Sequence, residues 1–332
     1  MKAKVAKKKK ILFKCPPFLD IYHPHNYEKS LQFIHSLDVI SEHGYIDVAI
    51  SFMRTKEIKA AALVLLYAKL ETLIKKCNVN FQLLYGVDLK LIKQLKETGF
   101  FSLCRNKKSS NDFSKSQLPI ISSESGKFRD RIIDFIKEKI YQNQFDDNLE
   151  FVYGDAIHEA INNVSLHAYT DDKEKSWWLN CSLIDDELYL VLYDQGKGIP
   201  NTFTKGNKAF DEVDWSDLNL RSEVNKLTKK WGIEFSEIDE IVIKKTKEQD
   251  SCIIFFAMSD DITRMTGRDE LKHGQGSKSI KKLVSSHEDG ILWIFSNKGL
   301  YRYENDEKPP FLGDYTHSIQ GTLIQWNIKV FK

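Results

Sequence analysis

Apolar and polar residues alternate in two different rhythms over the first hundred positions. Tyr45-Ile-Asp-Val-Ala-Ile-Ser51 is short, β-branched and apolar, which predicts a strand. From Ile58 to Lys76 the apolar positions recur at helical spacing. Phe81-Gln-Leu-Leu-Tyr85 predicts a second strand, and Leu89 to Thr98 a further helix stopped at Gly99. Ile11-Leu-Phe13 is a candidate first strand. Strands and helices in this alternation imply parallel pairing with right-handed crossovers. Around Arg105 to Ser125 the periodicity lapses and Lys, Ser and Asn dominate, as in a linker. A helical pattern resumes at Phe128 to Ile140. The expected organisation is an α/β domain at 1–105, a linker at 106–125 and a second domain at 126–332.

The second half is punctuated by glycine. Leu188-Tyr-Leu-Val-Leu-Tyr193 reads as a strand and ends in Asp194-Gln-Gly196-Lys-Gly198-Ile199-Pro200. An acidic side chain at a strand end, followed by two glycines, offers one fixed acceptor and a backbone that can approach a ligand. A second cluster, Gly267 and His273-Gly274-Gln-Gly276-Ser277-Lys278, precedes the helical pattern Ile280-Lys-Lys-Leu-Val284. Glycines that open a helix present N–H groups to an anion. Gln320-Gly321-Thr322-Leu-Ile-Gln-Trp-Asn-Ile328 is a late strand. Between Pro200 and Gly267 the chain is charged and carries a helical pattern near Leu220–Trp231. Roughly 65 residues is too long for a structureless loop, so a partly ordered insertion is expected.

The candidate chemistry lies in Glu159-Ala-Ile-Asn-Asn163-Val-Ser-Leu-His167-Ala-Tyr169. Glu159, Asn163 and His167 recur every four residues, which places them along one stripe of an α-helix. Asn163 can offer its amide oxygen to Mg²⁺, an ion that keeps most of its waters and takes few protein ligands. Glu159, one turn away, can hold or deprotonate a group attacking a γ-phosphate. A solvated helix face shows the same polarity, so the stripe alone leaves both alternatives open.

The ordered set of polar helix, D-x-G-x-G-I-P, G-x-G before a helix and a late Gly-Thr strand resembles the GHKL (Bergerat-fold) ATP-binding superfamily, which includes DNA gyrase, the histidine kinases and MutL. Within it the helix motif is most similar to the anti-sigma-factor serine kinases. The resemblance covers roughly residues 125–332. It implies an α+β sandwich, a mixed sheet covered by helices on one face, with ATP and Mg²⁺ as cofactors. It further implies Glu159 as catalytic base, Asn163 as Mg²⁺ ligand and Asp194 as the carboxylate that reads adenine. Gly196 and Gly198 would hinge a lid spanning about 200–270, Gly274 and Gly276 would contact phosphate, and Thr322 would support the water network at the adenine site. His167 and Ile199 belong to the same motifs. Ser277-Lys278 departs from the bulky apolar residue usual after the second glycine box; Lys278 or Lys272 could reach a phosphate, or be a solvated lysine. Phe256 to Arg264 resembles the corresponding segment of bacterial ATPases fused to STAS-like domains, which would put Thr263 and Arg264 near the phosphates. The first domain resembles, more weakly, a STAS domain. Ala60, Ala61 and Ala62 stand where that family often carries a phosphorylated serine, so the switch is expected to be absent; Thr55 is the one substitute.

Composition narrows the classes. The 332 residues are 42% hydrophobic, enough for one large core or two modest ones. A net charge of +2 gives no general case for nucleic acid. The basic arm Lys2, Lys4 and Lys7 to Lys10 could contact phosphates or anionic lipid, or serve only as a solubilising tail. Cys15, Cys77, Cys104, Cys181 and Cys252 are scattered, without a zinc or disulfide pattern. The longest apolar run, Ala60 to Ala68, is too short to cross a bilayer and no signal-peptide core is present, so no membrane span and a cytoplasmic location are expected. His23, His25, His35 and His43 lie in no helical-bundle pattern, which argues against a histidine autokinase.

The expected function is Mg²⁺-dependent ATP binding that switches an interaction, by ATP hydrolysis or by phosphorylation of a regulatory protein partner. The alternatives are an ATP-driven conformational or dimerisation ATPase, with a homodimer as its form, and an ATP sensor without turnover.

Overall fold

A computed structural model describes residues 10–124, 126–169, 174–204, 222, 225, 229, 248–259 and 276–330. The chain divides into two compact units, Met1–Ser122 with Trp178–Ser182, and Ser123–Trp177 with Leu183–Lys332. Helices and several sheets make it a mixed α/β protein.

The first unit is built on a parallel sheet. β1 (Lys10–Lys14), β3 (Asp47–Ser51) and β5 (Asn80–Leu84) pair in the order β1-β3-β5, with Lys10 opposite Asp47 and Asp47 opposite Asn80. Between them run α1 (Pro24–Ser36), α2 (Val39–His43) and α3 (Ala60–Cys77). β2 (Phe18–Leu19) and β4 (Glu57–Ile58) form a small parallel pair of their own. Every residue from Ala61 to Ala68 is buried, so α3 is apolar all round through its first two turns and serves as the core of this unit. It ends at Asn78, whose left-handed backbone (φ 51°) returns its N–H to the Ile74 carbonyl. Asp88 caps α4 (Leu89–Glu97) by accepting the N–H groups of Lys90 and Leu91, and α5 (Phe100–Asn106) follows Gly99.

β6 (Ile121–Ser123) lies within the stretch expected to be a linker. With β7 (Trp177–Ile184), β8 (Glu187–Asp194), β9 (Ile291–Tyr303) and β10 (Phe311–Lys329) it forms a five-stranded sheet, ordered β6-β7-β8-β10-β9. β10 runs antiparallel to both neighbours, and its register against β9 shifts between Asp314 and Ile319 and again before Thr322. A shift of this kind bends a strand and re-aims its side chains. Thr322 comes out of it opposite both Asp194 and Ser296.

Helices complete the second unit. α6 (Arg129–Phe135) continues as a π turn to Ile140. Asp146 caps α7 (Asp147–Asn163) by accepting the Leu149 N–H at 2.7 Å. Val152, Tyr153, Ala156, Ile157, Ala160 and Ile161 form the buried face of α7, while Glu159 and Asn163 are half-buried at its margin. α8 (Ile199–Thr204), α9 (Asp250–Ala257) and α10 (Gly276–Ser285) follow. The indole of buried Trp326 on β10 donates to the Ile280 carbonyl of α10 at 3.0 Å, fixing that helix on the sheet. Among the described residues no helix is long and apolar enough to cross a membrane.

Candidate functional site

Asp194 ends β8 and is 5% exposed. Its carboxylate accepts the N–H of Gly196 at 2.7 Å and that of Thr322 across the strand pair. Burial nevertheless pushes its carboxyl up to about 7, the two N–H donors pulling the other way. A buried acid whose pKa is pushed toward neutrality, at the end of an apolar sheet, is a candidate functional group. Beside it the Tyr169 hydroxyl donates to the Ser176 carbonyl and accepts the Gln195 N–H, both within 2.8 Å. Burial raises that phenol's pKa, so it stays protonated.

Thr322 and Ser296 extend the row. Ser296 is fully buried, donates to the Gly321 carbonyl at 3.0 Å and accepts the Ile199 N–H at 2.8 Å. Its Oγ also lies 3.0 Å from the Thr322 hydroxyl. A hydroxyl has one proton and two lone pairs, so Thr322 donates in that contact and Ser296 is fully satisfied. One side chain thus ties the first turn of α8 to the middle of β10.

The glycines occupy places where a side chain would collide. Gly198 has φ +83°, and a Cβ there would overlap Asn297 Oδ1 and approach Ser296 Oγ at 2.9 Å. Asn297 Oδ1 is itself buried without a hydrogen-bond partner among the described residues. Gly196 abuts the Ala168 backbone, and the next N–H, that of Lys197, donates to the Ala168 carbonyl at 2.7 Å. The Asp194 turn is therefore fastened to the end of the α7 segment.

On α7, Glu159 meets Gly276: a Cβ on that glycine would overlap the Glu159 carboxylate. One turn earlier, Asp155 accepts a short hydrogen bond from Ser279. Gly276 and Ser279 belong to the first turn of α10, so the two helices meet antiparallel, with the α10 N-terminus over Glu159. Ser277 is half-buried and Lys278 exposed in the same turn. The carboxylate of Glu159 lies close to the N-terminus of α10, where negative charge is favoured.

The helix that carries the stripe drawn from the sequence changes its winding after the second member. α-helical spacing holds through Asn163, but Val164–Ala168 forms a π turn. A π turn takes more residues per revolution, so four residues fall short of a full circle. His167 is exposed, its carbonyl accepting the Thr202 hydroxyl at 3.5 Å. The π turn also delivers the Ala168 carbonyl to the Asp194 turn.

Gly274, Lys272, Thr263, Arg264 and Gly267 lie outside the described residues, as does Leu220–Trp231 but for Ser222, Asn225 and Lys229. Ser296 and Asn297 were absent from the sequence reading. The available signal was one hydroxyl at the end of the apolar run Ile291-Leu-Trp-Ile-Phe-Ser296. Among the described residues no three His, Cys, Asp or Glu side chains gather around a metal position. No protein-family model matches the chain, and no curated protein matches it.

Proposed function

We propose that residues 126–332 bind Mg²⁺–ATP in the manner of the GHKL superfamily and that nucleotide binding switches an interaction with a regulatory protein. The observation that supports this best is the placement of Asp194 directly opposite Thr322, with Ser296 on the strand beyond. Two motifs 128 positions apart in the chain thereby share one buried polar row. The approach of Gly276 to Glu159 supports the phosphate end of the same reading.

In this proposal Asp194 accepts a hydrogen bond from the adenine amine, and Thr322 and Ser296 hold the backbone around it. Asn163 is half-exposed, with an amide oxygen suited to a hard cation, so the residues present fit a magnesium ion that one protein ligand and phosphate oxygens would hold. That ion would neutralise phosphate charge. Glu159 takes the proton of the attacking hydroxyl, either water or a partner side chain, and the α10 N-terminus offers N–H groups to phosphate oxygens. Gly196 and Gly198 would form the hinge of the lid expected at about 200–270.

The first unit would be a STAS-like docking domain. Ala60 to Ala62 open α3 where a receptor serine would stand, so it would engage a partner without receiving phosphate. The length of the lid segment favours a second form of the reading, a conformational ATPase that dimerises on ATP. Transfer of phosphate to a partner selects the kinase; ATP-dependent dimerisation without phosphoprotein selects the conformational ATPase. Phosphate release and partner phosphorylation by the wild type, set against Glu159→Ala, test the enzymatic reading.

A further inference from the structure

A cavity of about 430 Å³ lies in the first unit, outside the proposed nucleotide site. It is lined by Phe18, Asp20, His23, Lys29, Glu57 and Lys59 among others. The segments carrying them follow β1 and β3, at the carboxyl ends of parallel strands, where open α/β sheets bind ligands. Its volume falls in the range of small-molecule sites.

One buried carboxylate organises its wall. Asp20, 3% exposed, accepts the Tyr22 N–H on Oδ1 at 2.8 Å. On Oδ2 it takes the His23 Nδ1–H at 2.6 Å and an Asn26 amide proton at 3.1 Å. A carboxylate on Nδ1 fixes the tautomer and the ring plane, and it leaves Nε2 as the acceptor nitrogen. The imidazole is 71% exposed, so an oriented ring stands at the mouth of the cavity. Asn26 keeps a second amide proton beyond the one given to Asp20. Lys29 donates to His25 Nε2 at 2.8 Å, a contact with an uncharged nitrogen that leaves the ammonium charge uncancelled. Lys59 pairs with Glu57 at 2.7 Å, so its charge is offset while its remaining N–H groups stay available as donors.

From this arrangement we infer that the cavity is a binding site for a small organic phosphomonoester. The Lys29 ammonium, an amide and an oriented imidazole line the cavity from different side chains, beside a second ammonium held by Glu57. That spread suits the three oxygens of a phosphate better than the two coplanar oxygens of a carboxylate. The volume exceeds what inorganic phosphate fills, and Pro16, Pro17 and Phe18 supply apolar wall for an organic body. This site does not depend on the nucleotide site.

The test follows the imidazole resonances of the ¹⁵N-histidine-labelled full chain, without ATP, during titration with glycerol 3-phosphate, inorganic phosphate and acetate. A saturable shift of His23, tighter for glycerol 3-phosphate than for inorganic phosphate and absent with acetate, is expected. Lys29→Gln and Lys59→Gln change side chains that reach solvent, and each should weaken the response about tenfold or more. The His23 resonance of the free protein should be unchanged in both variants, showing that the Asp20 contact survives. No saturable shift with either phosphate, a response to inorganic phosphate alone, or equal affinity in the Lys29→Gln, Lys59→Gln double variant would overturn the assignment.

Discussion

Thr322 stands directly across from Asp194 on the neighbouring antiparallel strand, and its N–H is one of the two that hold the buried carboxylate. The acid is therefore fixed by backbone alone: its own turn supplies one donor and a strand from the far end of the chain the other. This geometry sets its pH behaviour. Burial raises the folded-state pKa to about 7, above the value of 3.8 for a free carboxyl. Between those values the folded state holds a proton that the unfolded state has lost. Asp194 therefore makes stability fall as pH rises from about 4 to about 7, with no further change above. Denaturant midpoints of the wild type should show this decline, on the order of a few kcal/mol in total. Asp194→Asn should lack it.

Ser296 satisfies three groups at once, the Ile199 N–H, the Gly321 carbonyl and the Thr322 hydroxyl. Ser296→Ala leaves them unpaired in a buried place and should cost roughly 1–3 kcal/mol. Thermal or urea unfolding reads the loss directly. A neutral Ser296→Ala would mean that the network is dispensable.

Gly198→Ala puts a methyl group onto Asn297 Oδ1 at a left-handed backbone position. The strain and the overlap together should destabilise by a few kcal/mol. Adding Asn297→Ala removes the overlap and leaves the φ strain, so the double variant should recover part of the loss. A double-mutant cycle with zero coupling would show that the two residues do not meet.

Gly276→Ala should drive the Glu159 carboxylate out of its place over the α10 N-terminus. In the proposed mechanism that lowers ATP turnover roughly a hundredfold, while nucleotide affinity changes much less. Glu159→Ala should reduce turnover by about 10²–10⁴ with binding largely kept. Steady-state rates beside equilibrium titrations separate the two effects; full turnover in Glu159→Ala would remove this residue from the role of base.

Much of this arrangement could be read along the chain where local pattern decides it. The Ile58 to Lys76 periodicity became α3, and the Leu188–Tyr193 run became the body of β8, because apolar spacing alone specifies such elements. Asp194, Gly196 and Gly198 were singled out because glycines after a strand-end acid are unusual, and each now has a geometric reason. The π turn at Val164 was not legible, since it depends on what the Ala168 carbonyl must reach rather than on residue types. Ser296 was hidden for a similar reason. A lone serine in a strand looks ordinary until the register shift in β10 places Thr322 beside it. The cavity around Asp20 is not legible along the chain, because histidine spacing says nothing of the carboxylate three residues away that orients His23.

The central claim is that the Asp194 row reads adenine in Mg²⁺–ATP. Isothermal titration of the wild type and Asp194→Asn with ATP, each with and without Mg²⁺, tests it most directly. The account predicts magnesium-enhanced binding by the wild type and a loss of about tenfold or more in Asp194→Asn. No binding of ATP by the wild type, or equal affinity in the two proteins, would contradict it.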